Sequence, residues 1–169
     1  MLTILIVAMV LAGTVYGISS RPREMHRTVE NFNLDRYLGR WYEIARFDHR
    51  FERGMQRTQA NYVLRGDGKV DVLNTGLKDG VPHESKGVAK RTDTPALLRV
   101  SFWGPFYSDY RVLLLDDDYR YALVGSGSDD YLWILSRTPQ ISEEVKRLIL
   151  AEAQRRGYDT GKLIWVEQP

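Results

Sequence analysis

From residue 40 onward, apolar and polar residues alternate with a period of two. That is the spacing of strands with one buried face. The alternation predicts strands over 40–47, 57–65, 69–76, 84–91, 96–103, 109–116, 119–125 and 130–136. Turn residues separate them. Asp67-Gly68 in "RGDGKV" is a strong hairpin signal, and "LKDGVP", "TDTP" and "GSGSDD" mark further turns. Strands recurring without intervening helices indicate an antiparallel meander that closes as a sandwich or a barrel.

The period changes once. "ISEEVKRLILAEAQRRGYD" repeats as a helix, with Ser142 as its N-cap and Gly157 as the left-handed residue beyond its end. Glu143 and Glu144 suit the positive end of the helix dipole, and Arg155 and Arg156 the negative end. Val145, Leu148, Ile149 and Ala153 form its apolar stripe. A one-stripe helix that follows eight strands packs on the outside of their sheet. A short last strand, 162–168, follows it.

The N-terminus has a different pattern. "MLTILIVAMVLAG" is apolar for the length of a signal-peptide core, and "VYG" supplies compact residues before a cleavage site. The reading is a signal peptide over 1–17, a flexible lead-in over 18–30 and one domain over 31–169.

Composition narrows the chemistry. A net charge of +2, with basic residues interleaved among acids, gives no stripe for nucleic acid. The absence of cysteine excludes disulfides, thiolate metal sites and a cysteine nucleophile. His26, His49 and His83 lack the short spacing of a zinc site, and His49 reads as a solvated imidazole. No metal or cofactor is expected. Asp116, Asp117 and Asp118 read as solvated turn charges in preference to a catalytic or metal cluster.

Three strings carry a family resemblance. "NFNLDRYLGRWYEIARFDHRFERG" (31–54) resembles the opening signature of lipocalins, with its G-x-W-Y core. "LDDDYRYALV" (115–124) and "YLWILSRTP" (131–139) are similar to the second and third family regions, in order and at family spacing. The match is strongest to the bacterial lipocalin branch, which is related to apolipoprotein D. The resemblance implies an all-β fold: an eight-stranded antiparallel up-and-down barrel, with one α-helix outside and a short final strand.

It also implies roles. Trp41 would plug the barrel floor with Arg137 stacked across it, and Gly39 would leave room where the chain crosses the base. Alternation from Arg137 then turns Leu135, Trp133 and Tyr131 inward, and alternation from Trp41 turns Glu43 and Ala45 inward. Glu43 in a barrel needs a partner, and a nearby Arg or Tyr is favoured. Phe102 and Phe106 are assigned with Tyr131, Trp133 and Leu135 to the cavity lining. Arg46, Arg50, Arg53, Lys78 and Lys86 lie in or near loops and are candidates to attract an anionic head, beside the plainer reading of a solvated face.

Lipocalins hold small hydrophobic molecules, and the bacterial branch is linked to fatty acids and lysophospholipids. The resemblance therefore implies a non-enzymatic carrier or store in the bacterial cell envelope, with a fatty acid or lysophospholipid as partner. Two readings stand beside it: an interaction scaffold and a lipid-modifying enzyme. The aromatics of "SFWGPFY" leave room for a homodimer. Thr14 stands where bacterial lipocalins commonly carry the lipid-modified Cys. The expected form is therefore exported, in the periplasm or peripherally associated with the outer membrane, without a cysteine lipid anchor.

Overall fold

The computed structural model describes residues 24–169. The signal segment, its cleavage site and Thr14 lie outside the described residues. A short helix, α1 (Leu34–Tyr37), precedes strands β1 (Gly39–Phe47), β2 (Met55–Leu64), β3 (Val70–Lys78), β4 (Val81–Arg91), β5 (Leu97–Trp103), β6 (Phe106–Leu115), β7 (Tyr121–Gly125) and β8 (Leu132–Ser136). Helix α2 (Glu143–Arg156), a 3-10 turn (Thr160–Lys162) and β9 (Leu163–Trp165) complete the chain.

Each strand from β1 to β8 pairs antiparallel with the next, and β8 returns to β1. This is the closed eight-stranded up-and-down barrel that the family strings imply, where the alternation alone left a sandwich open. Several strands run further than predicted because their turns are tighter. Asp79 (φ 53°) and Gly80 (φ 77°) form a two-residue left-handed turn, so β4 starts at Val81 and not at 84. Gly104, at φ 51°, lets β6 start at Phe106 and not at 109.

Alternation sorts the core into two clusters. One lies inside the barrel and includes Trp41, Tyr62, Val72, Ala89, Leu98, Val112 and Leu135. The other lies between the barrel wall and α2 and includes Ile44, Phe47, Leu113, Leu123, Ile134, Ile149 and Ala153. Neighbours such as Ile134 and Leu135 therefore belong to opposite clusters, as the pleat requires.

Helix α2 is capped as expected. The Ser142 side chain accepts from the Val145 N–H, and Gly157 has φ 98°. Its stripe needs one correction: Leu148 is 46% exposed, while Ile149 and Ala153 are buried. The steps of four from Val145 put Leu148 on the flank, and Arg156 takes the last inward position. The Arg156 guanidinium donates to the carbonyls of Glu24 (3.1 Å), Arg27 (2.7 Å) and Leu113 (2.7 Å). Together with the Val29 N–H bonded to Val112 O, this fastens residues 24–29 to the wall. The lead-in expected to be flexible to residue 30 is thus held from Glu24 onward.

Strand β1 contains the second departure. Its register with β8 shifts between Glu43 and Ala45. This bulge puts both Ile44 and Ala45 in the outer cluster. Ala45, expected inside the barrel, therefore packs toward the helix.

The wall closes differently along its height. β1 pairs directly with β2 only over Gly39–Tyr42 against Gln59–Tyr62. Above that, β9 takes the edge of β1, with Ala45, Arg46 and Phe47 opposite Trp165, Ile164 and Leu163.

Candidate functional site

The floor is built by side chains that meet their hydrogen-bonding needs. The Arg137 guanidinium lies 3.9 Å from the centroid of the Trp41 ring. It donates to Arg40 O (2.7 Å) and Arg36 O (2.8 Å), while the Trp41 indole N–H donates to Tyr37 O (2.8 Å). Gly39 sits at φ 87°, and a Cβ there would lie 3.6 Å from the guanidinium. The glycine is needed for its left-handed backbone, which a bulkier residue adopts only under strain. Three phenols lie just above. The Tyr110 hydroxyl is 2.7 Å from that of Tyr37 and 2.9 Å from that of Tyr62. Burial raises the pKa of all three, so they act as neutral hydrogen-bonding groups.

Higher in the barrel the lining turns polar on one side. Leu135 faces Glu43 across the β1–β8 ladder, and Trp133 faces Arg46. Arg46 Nη1 donates to Glu43 Oε1 (2.7 Å). Its Nη2 donates to the carbonyls of Glu52 (2.7 Å) and Met55 (3.0 Å), in and beyond the loop joining β1 to β2. Glu52 reaches back into the barrel: it accepts from the Trp133 indole N–H (3.1 Å) and lies 2.7 Å from His49 Nε2. Tyr131 stacks on Trp133 at 5.8 Å, and the His49 ring meets Trp133 edge-on at 5.6 Å.

Two buried carboxylates share this space with one guanidinium. Burial, and then the Glu52 charge, push Glu43 up to about 8, against the pull of Arg46. Burial pushes Glu52 the same way, but hydrogen bonds from His49 and Trp133 outweigh it and leave its pKa lowered.

The placed residues correct three expectations. His49 is not a solvated imidazole; its side chain is 10% exposed and wedged between Glu52 and Trp133. Arg46 is buried in the barrel and does not stand at the rim. Phe106 is 78% exposed at the β5–β6 hairpin tip, opposite Trp103, so it does not line a buried cavity. Phe102 is 37% exposed. Its ring lies against Gly87, where an added Cβ would come within 2.8 Å of it.

The remaining basic residues divide. Arg50 lies over the Phe51 ring, Arg53 pairs with Asp48, and Lys86 pairs with Glu84. Lys78 ends β3 beside the mouth. Asp116 is held by Arg120 and by the N–H groups of Asp118 and Arg120, as a turn brace and not a free acid.

Glu43 and Arg46 were legible as charges in an apolar strand. A strict period of two sets positions 43 and 46 on opposite faces. Only the bulge brings them together, and no residue type in "WYEIAR" announces it.

The comparisons agree with this architecture. The lipocalin-like domain family model matches residues 32–168. The outer membrane lipoprotein Blc of Escherichia coli K12 is 52% identical over 170 residues, covering 98% of this chain and 96% of that protein. Mouse apolipoprotein D is 37% identical over 150 residues, covering 82% of this chain and 78% of its own. Insecticyanin from the tobacco hornworm superposes with a TM-score of 0.70 at 21% identity, covering 85% of this chain and 84% of its own, which shows the fold. The chain belongs to the lipocalin family. Membership supports binding of small hydrophobic ligands.

The same relatives correct one expectation. An exported form without a cysteine lipid anchor was expected from Thr14. The bacterial relatives that align with this chain are named outer membrane lipoproteins, and that name overturns the expectation.

Proposed function

We propose that the chain binds and carries or stores single-chain lipids, fatty acids or lysophospholipids, in the barrel and without turnover. The observation that supports this most is the one-ended lining. The floor is plugged by Trp41 and Arg137, while Trp133, half-buried, packs against the inner cluster with Tyr131 stacked on it. An eight-stranded barrel has room for either packed side chains or one small ligand. A cup with a closed base, apolar walls and polar groups toward its rim suits one acyl chain with a polar head.

A titration tests it. Delipidated protein is mixed with palmitate or palmitoyl lysophosphatidylethanolamine while tryptophan emission is followed. The expected result is saturation at one lipid per barrel, with affinity rising by up to about 0.8 kcal/mol per methylene until the cup is full. Trp133→Ala removes the signal or weakens binding. Trp165→Ala does neither, since Trp165 lies on β9 outside the cup, 42% exposed. Tighter binding of two-chain phospholipids, or a signal that depends on Trp165, would contradict the reading.

One observation favours an interaction surface as a second reading. Trp103 and Phe106 are 76% and 78% exposed on one hairpin tip. A homodimer through this tip would be seen by sedimentation as a mass that falls to the monomer in Trp103→Ser.

A further inference from the structure

At the β1–β2 seam the direct ladder between the two strands covers only their lower ends. Above Tyr42 and Gln59 the two strands no longer pair. The segment Val166–Gln168, which follows β9, fills the gap. On the β1 side it continues a proper edge: β9 pairs with Ala45–Phe47, and the Val166 N–H bonds to Ile44 O at 2.9 Å. On the β2 side it is held by one backbone bond, Arg57 N–H to Glu167 O at 2.8 Å. Side-chain amides supply the rest. Gln56 Oε1 accepts from the Glu167 N–H at 2.6 Å, and Gln168 Nε2 donates to Thr58 O at 2.9 Å and Glu43 O at 2.7 Å.

The β2 side is weak for a second reason. Its ladder with β3 runs from Gln56 opposite Leu77 directly to Gln59 opposite Thr75, so Arg57 and Thr58 pair with neither neighbouring strand. Arg57 also sits at φ 52°, in the left-handed region that non-glycine residues rarely adopt.

Buried polar atoms without partners cluster here. Thr58 Oγ1, Gln168 Oε1 and Arg46 Nε are buried and unbonded. Such groups are costly in a closed wall and become satisfied when water or a polar head reaches them. On the outer surface next to the seam lies a depression of about 620 Å³, with Arg57, Gln59, Leu77, Pro82, His83 and Pro169 in its lining.

We propose that the segment Val166–Gln168 is the leaf of a side gate in the barrel wall, swinging away from β2 while staying on β1, and that a single acyl chain enters and leaves the cup through it. The acyl ligand rests on the proposed function; the gate itself rests on the seam. Its hinge is the β9 ladder, and its latch is the set of bonds from Gln56, Arg57 and Thr58 to Glu167 and Gln168.

Two variants and one ligand-free measurement test the gate. The chain has no cysteine, so Gln56→Cys with Glu167→Cys supplies the only thiols, and a short bismaleimide can join them across the latch. With cis-parinaric acid as probe, the joined protein should load and release the probe at least fivefold more slowly than the same variant left unjoined. Gln56→Ala with Gln168→Ala should speed both rates at least fivefold, while the equilibrium constant changes less than twofold. Exchange at the wild-type rate in the joined protein would overturn the gate. Hydrogen exchange reads the seam without ligand. The Arg57 amide should exchange well before those of Ala60–Tyr62 in unmodified protein, and equal protection would also overturn the gate. If wild-type protein binds no probe but Arg57 exchanges early, the gate stands and the lipid reading falls.

Discussion

Two arginines on the barrel axis show how its lower and upper halves differ. At the floor, Arg137 lies on Trp41 and donates to two carbonyls, and Gly39 is shaped to admit it. Higher in the barrel, Arg46 is more deeply buried and holds Glu43 and two carbonyls, yet its Nε has no partner. Below, β1 and β2 pair directly, and three tyrosines bond to one another. Above, a separate segment closes the seam, two carboxylates compete for one guanidinium, and aromatic rings stand in solvent. The lower half concentrates satisfied contacts and therefore stability. The upper half keeps unmet polar groups and exposed apolar surface, the features that a ligand or an opening motion can use.

The difference can be broken most forcefully from below. Trp41→Ala removes a fully buried indole and should cost about 3–5 kcal/mol in urea unfolding. Arg137→Ala should cost about 2 kcal/mol, from the lost stacking and carbonyl bonds. The two losses should be less than additive in the double variant, because the side chains touch. Strict additivity would mean that the stack carries no coupling.

A pH series sharpens the upper half. Glu43 keeps its proton to about pH 8 in the fold, against 4.5 for an ordinary glutamate. Between those values the folded chain holds a proton that the unfolded chain has released. Stability from this group is therefore present below pH 4.5 and is lost as the pH rises through 8. Glu43→Gln should match wild type near pH 5 and exceed it by more than about 1 kcal/mol at pH 9. Equal urea midpoints at both pH values would show that Arg46 alone settles the charge.

The smallest effect is expected at the rim. Trp103→Ser with Phe106→Ser should change stability by less than about 0.5 kcal/mol, since both side chains are largely exposed. A larger drop in the urea midpoint would mean that the hairpin tip folds into the cup.

Much of the lower half was legible in the sequence. Period two marked the eight staves, and the G-x-W-Y string with the arginine of "LSRTP" resembled a known floor. The upper half was less so, for physical reasons. The bulge after Glu43 turns Ala45 outward and brings Arg46 in, and it depends on how β1 meets β8 and not on residue type. Glu52 and His49 belong to a loop, where charge reads as solvation; they are buried because Arg46 pulls the loop's carbonyls inward. In sequence, Phe106 is an aromatic close to a mouth loop and so resembles a lining residue. Its exposure follows from a two-residue turn that puts it at the tip. Steps of three and of four from Val145 both meet apolar residues, Leu148 and Ile149, and packing selects the steps of four.

The central claim is that this barrel carries one single-chain lipid in its cup. Native mass spectrometry of the protein purified from its own source, followed by extraction of the bound material, tests that claim most directly. The account predicts a species heavier than the protein by one fatty acid or lysophospholipid, lost on delipidation and restored at one per chain. A bound two-chain phospholipid, or a chain that carries no lipid and accepts none when it is offered, would contradict it.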